Sequence, residues 1–88
     1  MQTRVAVVSI IVEDSTSVPQ LNALLSEYAA DIIGRMGVPY RKRGINVITV
    51  AMEAPQDTVS ALAGKLGGLP GVSVKAAYSN AVFEADED

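Results

Sequence analysis

Glu13 and Asp14 are adjacent carboxylates, followed at once by the hydroxyls of Ser15, Thr16 and Ser17. Paired carboxylates can pass a proton or hold a hard cation, but such a cation takes about six oxygen ligands and the run offers no third acid. The hydroxyls have no base beside them, so they read as loop and cap residues rather than nucleophiles. A second cluster, Arg41, Lys42 and Arg43 with Arg35 and Tyr40 nearby, supplies cations suited to phosphate, RNA or an acidic protein partner. Gly64, Gly67 and Gly68 resemble a phosphate loop in composition, yet they fall at the end of an expected helix. That is the negative pole of its dipole, where anions are disfavoured.

Histidine and cysteine are both absent from the 88 residues. The chain therefore lacks the common neutral-pH base, the thiol nucleophile and the soft metal ligands. No catalytic residue, metal or cofactor is expected, and the chain reads as a non-enzyme. The formal charge of −3 is uneven, since Glu84, Asp86, Glu87 and Asp88 crowd the last five positions. The remaining body is close to neutral, which argues against general nucleic-acid affinity. The aromatic residues, Tyr28, Tyr40, Tyr78 and Phe83, also miss the central strands where a sheet-based RNA binder stacks bases.

These residues must be positioned by one small domain, because 88 residues with 49% hydrophobic content suffice for a single core. No apolar run approaches the ~20 residues of a membrane span, and the start lacks a signal-peptide pattern. A soluble cytoplasmic protein is expected. The β-branched run 4–12 suits a first strand covered on both sides, and the polar loop 13–17 leads to a helix from Val18, with Ser17 as N-cap and Pro19 in the first turn. Leu21, Leu24, Leu25, Tyr28 and Ile32 keep the helical period. Residues 32–40 read as an irregular or bulged strand, turned at Gly44 into a third strand at 45–53.

A second helix follows Pro55, capped by Asp57 or a neighbour, with Val59, Leu62, Ala63 and Leu66 buried. Gly64 inside it predicts close packing against the sheet, and Gly67 and Gly68 predict a left-handed stop. A fourth strand spans 72–78. The order β-α-β-β-α-β predicts an α+β, ferredoxin-like sandwich, a four-stranded antiparallel sheet with two helices on one face. The domain is expected over 1–79, with 80–88 as a solvated acidic tail. On the uncovered face the alternation places Val5, Val7, Ile11, Val47 and Ala51, an apolar surface that predicts a homo-oligomer, dimer or tetramer.

Glu13-Asp14, residues 18–37 (VPQLNALLSEYAADIIGRMG), 45–52 (INVITVAM) and above all 57–75 (DTVSALAGKLGGLPGVSVK) resemble a family of short proteins described as regulators of iron-only hydrogenase systems. The resemblance covers the chain apart from its acidic tail and is most specific at 57–72. It implies an ACT-like fold, similar to the C-terminal domain of nickel-responsive repressors. It does not imply nickel sensing, because those repressors hold the metal with His and Cys. Nor does it imply DNA reading, since the first strand begins almost at Met1, leaving no ribbon-helix-helix segment before it. ACT domains bind amino acids near the first β-α loop at a subunit interface. The resemblance thus implies an effector site at Glu13, Asp14, Ser15, Thr16 and Ser17, although the glycine common in that loop is missing here. The expected function is a non-catalytic regulatory module. The alternative is a ligand-free adaptor that docks hydrogenase-maturation partners through the sheet face or through Arg35, Arg41, Lys42 and Arg43.

Overall fold

Strand β1 (Gln2–Val12) alternates from Val5 onward, with Ala6, Val8, Ile10 and Val12 buried to 1% exposure or less. A computed structural model of the chain describes residues 1–85. Helix α1 (Val18–Glu27) follows, then β2 (Ile32–Tyr40), β3 (Ile45–Ala54), α2 (Gln56–Gly67), β4 (Val72–Tyr78) and a two-residue β5 (Phe83–Glu84). Short 3-10 turns at Ser15–Ser17, Ala29–Asp31 and Arg41–Arg43 link these elements. The sheet is antiparallel in the order β2-β3-β1-β4, with β5 added against the start of β1.

Both helices lie on one face. Leu21 and Leu25 of α1 and Val59, Leu62 and Leu66 of α2 pack on the β1 row and on Ile48, Val50 and Met52 of β3. Burying each such side chain contributes about 2 kcal/mol, and no buried side-chain polar atom among the described residues lacks a hydrogen-bond partner. The α+β architecture, the helix stripes and the strand phases thus follow the periodicity of the sequence.

Several local expectations are corrected. Ile32 does not continue the α1 stripe but opens β2, whose irregularity is a register shift between Ile32 and Gly34. Neither long helix has a side-chain cap, since Ser17 and Pro55 hold the N-cap positions without one and Asp57 lies in the first turn of α2. Gly64 has open space around it, so it is not a packing glycine. Gly68 ends α2 at φ −80, and the left-handed residues are Gly44 and Gly71, at φ 65 and 68. The sheet has a fifth strand where a tail is expected: Phe83 and Glu84 pair with Thr3 and Gln2. Asp86, Glu87 and Asp88 of that expected tail lie outside the described residues.

Candidate functional site

The β1–α1 loop is stitched to the turn that precedes β4. Glu13 donates its backbone N–H to the Gly71 carbonyl at 2.7 Å, and the buried Ser17 hydroxyl donates to the Pro70 carbonyl at 2.6 Å. Gly71 sits so close that a Cβ there would stand 2.6 Å from Asp14 Cβ. Within the loop Asp14 Oδ1 accepts from the Thr16 hydroxyl at 2.6 Å and from its N–H at 2.9 Å. Those bonds, the hydroxyl first, hold the Asp14 carboxyl below its ordinary pKa because they favour the charged form.

Three of the five residues expected to bind an effector are therefore engaged locally. Asp14 caps the 3-10 turn, Thr16 donates to it, and Ser17 pins the loop. The side chains of Glu13 and Ser15 remain exposed. Ser15 opens onto a cavity of about 320 Å³ shared with Tyr40, Arg41, Gly44, Ile45 and Asn46. The β2–β3 turn forms the other wall, because β1 ends opposite the start of β3: Val12 pairs with Asn46, and Asn46 with Pro39. The cavity joins one residue of the expected effector loop to one of the basic cluster. Tyr40, expected beside the basic cluster, lines it as well, and Asn46, in neither expected site, completes it through strand pairing that no local motif encodes.

The expected docking cations do not form one surface. Arg41, Lys42 and Arg43 are exposed at the turn, whereas Arg35 pairs with Val50 and donates to Asn22 Oδ1 at 3.2 Å across the gap between β2 and α1. Among the described residues the salt bridge found joins the amino terminus to Glu84, at 3.5 Å, and leaves the basic turn unpaired. No three acidic side chains among them converge as a metal site.

Val5, Val7, Ile11, Val47 and Ala51 all lie on the face without helices, in phase with the buried rows they alternate with. The face is wider than expected. Register places Met36 beside Thr49, Val38 beside Val47 and Tyr40 beside Ile45. Met36 is 64% exposed, Val38 52% and Tyr40 48%. Their period-two spacing was present in the sequence, but Gly37 and Pro39 between them and Gly34 before them masked β2 as an irregular segment. No helix among the described residues is long and apolar enough to cross a membrane.

A family model described as "TM1266-like: Iron-only hydrogenase system regulator, putative" matches residues 4–76. The uncharacterized protein TM1266 from Thermotoga maritima is similar in structure, with a TM-score of 0.83, 34% identity, and coverage of 86% of this chain and 96% of that one. The ACT domain of a GTP pyrophosphokinase from Chlorobium tepidum superposes with a TM-score of 0.67 at 18% identity, covering 98% and 96% of the two chains. A formyltetrahydrofolate deformylase from Pseudomonas putida gives 0.64 at 14% identity over 88% of this chain and 29% of its own. At such identities the last two establish the ACT-like fold alone. No curated protein matches the chain.

Proposed function

This chain belongs to the TM1266-like family, and we propose that it is a non-catalytic, cytoplasmic regulatory module of an iron-only hydrogenase system, oligomeric and responsive to a small effector. The observation that supports this reading is the cavity between the β1–α1 loop and the β2–β3 turn, which places Ser15, Tyr40, Arg41 and Asn46 around one space. It offers a guanidinium with no acidic partner among the described residues, a hydroxyl and an amide, donors that fit a small carboxylate or phosphate-bearing molecule. Its Tyr40 and Ile45 also belong to the open apolar face, so a subunit packed there borders the ligand space. Ligand occupancy and subunit association then bias one another by linkage.

A thermal-shift panel of amino acids, nucleotides, S-adenosylmethionine and divalent metals tests the reading, because a ligand selective for the folded state raises the apparent Tm by mass action. One anionic compound is expected to give a saturable rise that disappears in Arg41→Ala, while metals alone give none. A flat panel would overturn the effector assignment. It would favour the adaptor reading, which rests on the exposed cations Arg41, Lys42 and Arg43, unpaired among the described residues.

A further inference from the structure

We propose that the open sheet face packs on a second copy of this chain with a defined orientation, the two-fold axis running across the strands near Thr49 so that the β3 strands lie antiparallel. This rests on the reading of the chain as an oligomer and adds the geometry of its partner. The patch formed by Val7, Ile11, Met36, Val38, Tyr40 and Val47 amounts to roughly 500 Å² of apolar surface, the size at which a patch on a small protein is functional.

Two gradients select the axis. Across the strands, the face is apolar on β2, β3 and β1 and polar on β4, where Ser73 and Lys75 are exposed. Met36, Thr49, Ser9 and Lys75 form one row perpendicular to the strands. An axis along that row stacks each strand on its own copy, so apolar strands meet apolar strands and Lys75 stays at the rim. An axis parallel to the strands would instead set Met36 and Val38 against Ser73 and Lys75, desolvating a charge on an apolar surface.

Along the strands the charge reverses. The β2–β3 turn end carries Arg41, Lys42 and Arg43 against Glu13 and Asp14, an excess of one positive charge. The opposite end, where β5 joins β1 and β3 enters α2, carries Asp31, Glu53, Asp57 and Glu84 against Arg4 and the amino terminus. Antiparallel stacking sets the basic end of each copy beside the acidic end of the other, and the parallel alternative sets like on like. Exposed charges add little affinity, but they fix orientation.

The absence of cysteine permits a direct test by site-specific cross-linking. Ile45 and Glu53 occupy the two ends of β3 on the open face, about 27 Å apart along the strand. Single variants Ile45→Cys and Glu53→Cys are treated with a short bis-maleimide, separately and mixed. The expected result is a covalent dimer from the mixture and little from either variant alone. Self-cross-linking of each variant, with no hetero-linked dimer of the two resolved by mass in the mixture, would overturn the orientation and leave the dimer standing. Exposed Val47→Asp separates the two questions: a dimer that survives this change in sedimentation equilibrium has its interface elsewhere, which overturns the proposal. A native chain that sediments as a monomer overturns both the proposal and the oligomer reading.

Discussion

Gly71 is the residue on which the loop geometry depends most. Its φ of 68 is a conformation that costs an L-residue about 1–2 kcal/mol, and a Cβ would stand 2.9 Å from the Asp14 nitrogen as well as 2.6 Å from its Cβ. Adding the cost of displacing that backbone, Gly71→Ala is expected to lower stability by about 2–4 kcal/mol in urea unfolding. An unchanged midpoint would show that the β1–α1 loop is not held by this turn. Asp14 makes a pH prediction at the same place. Its folded pKa lies below its unfolded value, so its bonds to Thr16 stabilise the fold above the ordinary aspartate range near pH ~4 and are lost as pH falls through the lowered folded value. Melting curves of the native chain and Asp14→Ala are expected to differ at pH 7 and to converge in acid. A gap that stays constant down to pH 2 would exclude this carboxylate as the titrating group.

At the scale of the elements, periodicity carries most of the information. Rows such as Val8, Ile10, Val12 and Ile48, Val50, Met52 announced which sheet face is buried, and Leu21, Leu25, Leu62 and Leu66 announced the helix faces that cover it. Glycines were legible as interruptions but not as geometries, because φ depends on the tertiary partner: Gly67 and Gly68 look like a left-handed stop, yet the left-handed residue is Gly71, in the turn before β4 against Asp14. β5 was hidden for a similar reason. Two residues in an acidic terminal segment have no period, and their pairing to Gln2 and Thr3 is entirely non-local. The candidate cavity was legible only in part, through Ser15, Tyr40 and Arg41, since Asn46 reaches it by strand register. The open surroundings of Gly64 give a prediction for α2: Gly64→Ala fills empty space on an exposed helix surface and is expected to raise stability by about 1 kcal/mol. A destabilised variant would mean that something in the native protein packs against that position.

The whole molecule is a half-covered sandwich. One face of the sheet is sealed by two helices, and the other presents Val7, Ile11, Met36, Val38, Tyr40 and Val47 to water while the principal charges sit at the two ends. On the proposed reading this surface packs on a second copy, and the cavity beside the β1–α1 loop then lies at the margin of that contact, where binding and association bias one another. The measurement that tests this most directly is sedimentation equilibrium of the unmodified 88-residue chain across the micromolar range. The account predicts at least twice the chain mass, shifting toward the monomer only on dilution; a single-chain mass at every concentration would contradict it.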